Sequence, residues 1–121
     1  MSTTILVVED DGLIRMDLAD ILIDRGFAVL QAGNADEAIE IMEQTPLIHA
    51  LVTDIDMPGS MNGLELARHV AETRPECAIA VISGRYSPSQ GALPAKARFL
   101  SKPVSEEAVA RNLAELGITE R

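Results

Sequence analysis

Glu9-Asp10, Asp54, Ser83 and Lys102 are the residues of this 121-residue chain whose types and positions can do chemistry together. Each follows or ends a short apolar run: Ile5 to Val8, Ala50 to Val52, Ala78 to Ile82 and Ala97 to Leu100. Three carboxylates gathered in one place repel each other unless a cation sits among them. Carboxylate oxygens with open water positions suit magnesium, a hard cation that keeps several waters. Lys102 adds a movable positive charge and Ser83 a hydroxyl donor. An anion held against the metal would meet both. A phosphoryl group on Asp54 is the anion that would use all five groups. The bland reading of any one of these residues is a turn or a solvated loop charge, and Asp11 reads as a cap on the following helix.

The elements that must position these groups are legible in the periodicity. Thr4 to Val8 is apolar and β-branched and reads as a strand, ended by Glu9-Asp10-Asp11-Gly12. From Leu13 to Arg25 the period becomes helical, with Ile14, Leu18, Ile21 and Leu22 on one stripe. Gly26 is a natural stop. Phe27 to Gln31 reads as a second strand. Asn34 is placed to cap the next helix with Glu37 as its capping-box partner, and Ala35, Ala38, Ile39 and Met42 form that helix's apolar stripe. The central strand, about His49 to Thr53, delivers Asp54 to the point where a buried strand meets solvent. It is closed by Met57-Pro58-Gly59.

Asn62-Gly63 leads into a third helix, with Leu64, Ala67 and Ala71 on one face. Ala78 to Ile82 and Ala97 to Leu100 are the fourth and fifth strands. Ser105 caps a last helix striped by Val109, Leu113 and Leu116 and ended by Gly117. Strands alternating with helices imply an α/β fold with a parallel sheet and right-handed crossovers. The carboxyl ends of parallel strands share one rim, where ligands bind. Residues 84 to 96 contain Gly84, Pro88, Gly91 and Pro94 and no helical stripe, so a full fourth helix is not expected there.

Composition narrows the function. Hydrophobic residues make up 47% and aromatics only 2%, so the core must be aliphatic, which suits parallel strands covered by helices. A net charge of −9 argues against nucleic acid and membrane surfaces as partners. The lone Cys77 cannot form an internal disulfide, which fits a reducing cytoplasmic setting, and it reads as an inert buried thiol. No apolar run reaches transmembrane length, and the N-terminus has no signal-peptide pattern.

The pieces ILVVEDD at 5 to 11, LVTDIDMPG at 51 to 59, NGLEL at 62 to 66, VISG at 81 to 84 and FLSKP at 99 to 103 resemble the receiver domain of two-component response regulators. The resemblance covers almost the whole of residues 1 to 121. It implies a flavodoxin-like (CheY-like) doubly wound five-stranded sheet in the order 2-1-3-4-5. It also implies that Asp54 accepts a phosphoryl group from a sensor histidine kinase in a phosphorelay. Asp10, Asp54 and the backbone carbonyl of Asp56 would bind Mg2+, with Glu9 acting mainly through metal-bound water. Ser83 and Lys102 would receive the phosphoryl oxygens. Ser83 and Phe99 would form the switch, and Lys102-Pro103 would be a cis peptide.

Departures from the family pattern are Ser60, which lengthens the turn, Asn62 where Asp is common, and the shortened segment 84 to 96. The last puts the usual output and dimerisation surface in doubt. Both a complete single-domain regulator and a receiver from a longer chain fit. The alternative is a small phosphatase of the haloacid dehalogenase type using Asp54 in Asp54-Ile55-Asp56. Met57-Pro58 breaks the usual continuation of that motif, and the chain is short for it. His49 reads as a strand-edge residue and His69 as solvent-facing. Between Ala78 and Ser105 there is no acidic residue, which leaves Arg85, Lys96 and Arg98 as a basic face for an acidic protein target or a second copy of the chain.

Overall fold

The computed structural model describes residues 3–57, 62–84 and 93–118. Five parallel strands form one sheet in the order β2-β1-β3-β4-β5. They are β1 (Thr4–Val8), β2 (Ala28–Ala32), β3 (Ala50–Asp54), β4 (Ala78–Ser83) and β5 (Arg98–Ser101). The helices among the described residues are α1 (Gly12–Asp24), α2 (Ala35–Gln44), α3 (Gly63–Thr73) and α4 (Glu106–Glu115). The described part of the β4–β5 connection holds no helix. This agrees with a shortened or missing fourth crossover helix, although Arg85 to Ala92 lie outside the described residues.

Strand parity divides the core in two. Leu6, Val8, Leu51, Ile79 and Val81 face α2 and α3, meeting Ala38, Met42, Leu66 and Val70. Ile5, Val7, Ala50, Val52, Ala80 and Ile82 face α1 and α4, meeting Leu18, Leu22, Val109 and Leu113. Because both faces are covered, the inner strands read as continuous apolar runs rather than alternating ones. Burying each of the Val, Leu, Ile and Met side chains among these contributes about 1.5–3 kcal/mol before the entropy of ordering is subtracted.

Three strands run one residue later than periodicity predicts. Phe27 sends its N–H to Leu22 as part of the helix exit at Gly26, whose φ is 95°, so β2 starts at Ala28. Asp54 is itself in the ladder, opposite Ile82, so β3 runs through it. Ala97 closes a turn onto Pro94, and the pairing of Ser83 with Ser101 extends β5.

The helix ends follow the expected caps, with one difference. Asn34 accepts from Glu37 N, and Ser105 accepts from Ala108 N. The Glu37 carboxylate, however, accepts from Gly33 N at 2.7 Å rather than from the cap residue. The full capping box lies on α3, where Asn62 and Glu65 each satisfy the other's backbone N–H.

α1 also departs from its expected stripe. Leu18 and Leu22 are buried, but Ile14 is 42% exposed. The first turn of α1 stands at the rim, so Ile14 lines the cleft there and not the core. Leu13, Met16 and Ile23 are exposed as well. His69 is half-buried instead of solvent-facing.

Candidate functional site at the carboxyl rim

Register builds the site. Val8 pairs with Thr53, so the next residues on those neighbouring strands, Glu9 and Asp54, lie side by side. Ser83 is one residue beyond Ile82, the partner of Asp54. Lys102 is one residue beyond Ser101, the partner of Ser83. Parity then sorts the side chains. Glu9, Asp54 and Lys102 continue the α1/α4 face, in step with Val7, Val52 and Leu100. Ser83 and Phe99 belong to the other face, in step with Val81.

The ionised groups meet closely. Lys102 Nζ donates to Asp54 Oδ2 at 3.1 Å and to Glu9 Oε1 at 3.2 Å. Both carboxylates are 3% exposed, whereas the lysine side chain keeps 28% of its surface in solvent. Glu9 Oε2 also accepts from Asp11 N at 3.0 Å. Glu9, Asp10 and Asp54 each offer a carboxylate oxygen within 4.8 Å of the others, a hard-donor cluster of the kind that holds a divalent cation.

The electrostatics carry the same message. Burial, opposed by the Asp11 N–H and reinforced by the Asp54 charge, pushes the Glu9 carboxyl up to about 7. Burial works against the Lys102 ammonium, yet the hydrogen bond and charge of Asp54, together with Glu9, raise it above its ordinary value. One ammonium faces three carboxylates here, a donor set that could hold a metal cation.

The carboxylates of Asp56 and Asp11 have partners outside the cluster. The Asp56 carboxylate is not part of the three-carboxylate cluster, but accepts from Ser83 Oγ at 2.9 Å. The Asp56 N–H reaches Asp54 Oδ1 at 3.3 Å. Asp11 acts as the cap of α1, accepting from Leu13 N and Ile14 N. Phe99 is half-buried and packs against the α2/α3 side of the core. The Lys102-Pro103 peptide is cis. On the basic stretch, Arg98 Nε faces Glu115 Oε1 at 3.9 Å, Lys96 is exposed, and Arg85 lies outside the described residues. The positive face is thus partly neutralised by α4. Pro58, Gly59 and Ser60 of the expected turn also lie outside the described residues.

Sequence reading places Gly63 at the lead into α3 but misses its contact with Asp54. Its N–H donates to Ile55 O at 3.1 Å, and a Cβ placed on it would stand 1.6 Å from the carbonyl oxygen of Asp54. The start of α3 therefore rests directly on the residue at the end of β3. The signal was present in Asn62-Gly63 with Glu65 three residues after the cap, which is a capping-box signature.

A 2-1-3-4-5 sheet carrying this acidic rim beside a lysine defines a signalling domain of the receiver class. The sequence profile of the response regulator receiver domain matches residues 5–114, and the chain belongs to that family. Among its relatives, the response regulator receiver protein CpdR of Brucella abortus is 38% identical over 103 residues, which span 82% of this chain and 83% of CpdR. The sensor kinase CckA of Brucella abortus is 37% identical over 120 residues, covering 95% of this chain but only 12% of the kinase. The chain likewise spans 21% of a cyclic di-GMP phosphodiesterase of Thermotoga maritima. Among solved structures, a response regulator receiver protein from Sinorhizobium medicae superposes with a TM-score of 0.85 at 27% identity, covering 95% of this chain and 94% of that one. The receiver domain of the hybrid histidine kinase CckA gives 0.80 at 29% identity, covering 93% of this chain and 97% of that one. Among the described residues, no helix is long and apolar enough to cross a membrane.

Proposed function

We propose that the chain is a phosphorylatable switch, with Asp54 as the acceptor of a phosphoryl group from a sensor histidine kinase. The observation that carries this reading is the buried Asp54 carboxylate at the end of β3, hydrogen-bonded to Lys102 at 3.1 Å within an acidic cluster. Such a carboxylate is a nucleophile with its counter-charge already in place. A new bond forms between an Asp54 carboxylate oxygen and phosphorus as the donor's P–N bond breaks. The donor imidazole keeps the electron pair of that bond.

Lys102 stabilises the negative charge on the transferring group, and the Ser83 hydroxyl donates to a phosphoryl oxygen. Transfers of this kind are governed by positioning and charge stabilisation. Mg2+ would be held by Asp10, Asp54 and the backbone carbonyl of Asp56, with Glu9 acting mainly through bound water. When bound, it would neutralise the charge between acceptor and phosphoryl group. Phosphorylation would then alter a surface read by a downstream protein or by a second copy of the chain, through Ser83 and Phe99.

The test is phosphate incorporation from acetyl phosphate with magnesium and from a cognate kinase. Wild type should be labelled and Asp54→Asn should not. Full labelling of the variant would remove Asp54 from the role. Rapid turnover of p-nitrophenyl phosphate would point instead to a phosphatase.

A further inference from the structure

Ser83 is 1% exposed, so almost no solvent is available to its hydroxyl. A serine hydroxyl carries one proton to donate. Here it is directed to the Asp56 carboxylate, at an Oγ–Oδ2 distance of 2.9 Å across 27 positions of sequence. Asp56 is itself anchored over the acceptor by its N–H bond to Asp54 Oδ1. Its backbone is therefore tied to the site while its exposed side chain turns to the end of β4.

We propose that Asp56 is a positioning residue that latches Ser83 in the unphosphorylated state and so sets the threshold for switching. This rests on Asp54 being the acceptor. A phosphoryl group on Asp54 and the Asp56 carboxylate compete for one hydroxyl proton. Ser83 cannot serve the first without releasing the second. A bond from a neutral donor to a charged acceptor is stronger than a neutral pair, so the competition is substantial. The effect is specific to the serine. Any direct repulsion between Asp56 and the phosphoryl group would persist without Ser83, whereas the latch would not.

The test is a double-mutant cycle read by beryllofluoride binding, a phosphoryl mimic, at saturating magnesium and followed by 19F NMR. Asp56→Ala in the otherwise wild-type chain should bind beryllofluoride about tenfold more tightly, the size expected when a hydrogen bond to a charged group is removed from the resting state. Asp56→Asn keeps an acceptor oxygen without the charge and should show a smaller gain. In a Ser83→Ala background the gain from Asp56→Ala should be at least about fivefold smaller, because coupled residues are not additive. Equal gains in both backgrounds, or none in either, would overturn the latch while leaving the acceptor role standing. Failure of the wild-type chain to bind beryllofluoride would overturn the acceptor reading, and the latch with it.

Discussion

Replacing Gly63 by alanine tests whether the packing of α3 on β3 holds the acceptor in place. The added Cβ would stand 1.6 Å from Asp54 O, 2.5 Å from Asp54 C and 2.9 Å from Ile55 Cα. All three are backbone atoms, so no side chain can rotate away. Restoring a 3.0 Å separation would require the start of α3 and the end of β3 to part by about 1.4 Å, within an interior packed as densely as an organic crystal. Ile55 and Leu64 flank the contact and are each 1% exposed, so the displacement is passed into the core. Overpacking of this severity costs about 3 kcal/mol or more. For a domain of this size that lowers the thermal midpoint by roughly 10 °C.

Helix propensity alone predicts the opposite sign, a gain of up to about 1 kcal/mol for Gly→Ala. Urea unfolding followed by circular dichroism therefore separates the two effects by direction. The chemistry should suffer as well, since displacing a reacting group by about 1 Å costs on the order of 100-fold. Labelling of Gly63→Ala by acetyl phosphate should slow by about that factor under conditions where the variant remains folded. A variant as stable as wild type and labelled at the same rate would refute the close approach of Gly63 to Asp54.

Asp10→Asn should weaken magnesium binding in the unphosphorylated protein, while Lys102→Ala should leave it intact or tighter, since a competing positive charge is gone. Isothermal titration showing unchanged affinity in Asp10→Asn would remove Asp10 from the metal site. Asn62→Ala removes the side-chain half of the capping box with Glu65 and should cost about 1 kcal/mol in urea unfolding, whereas an unchanged midpoint would show that the cap adds nothing. Burial pushes the Cys77 thiol from 9.0 up to about 11, so the folded state favours the protonated form. Its contribution to stability is present below pH 9 and is lost as pH rises toward 11. At pH 8 a thiol-selective disulfide reagent should react much more slowly with the native protein than with the urea-unfolded chain, and equal rates would contradict the burial of Cys77.

The local order of the chain determined a great deal by itself. The apolar runs of β1, β3 and β4, the stop at Gly26, the caps at Asn34 and Ser105, and the placement of Glu9, Asp54, Ser83 and Lys102 at strand ends all follow from spacings of two, three or four residues. Those spacings act through backbone geometry that needs no distant partner. Strand ends slipped by one residue at β2, β3, β4 and β5 because ladder pairing with a neighbouring strand, not propensity, decides where a strand stops.

Tertiary structure alone decided which donor meets which acceptor. Lys102 reaches Glu9 across 93 positions and Asp54 across 48, and the bond from Ser83 went to the Asp56 carboxylate. The exposure of Ile14 and the seat of Gly63 on Asp54 were settled in the same way, by how α1 and α3 lie against the rim. A local pattern specifies the face on which a side chain emerges. The register between segments far apart in the chain specifies the partner it finds there, and that register is set by the packing of the whole sheet.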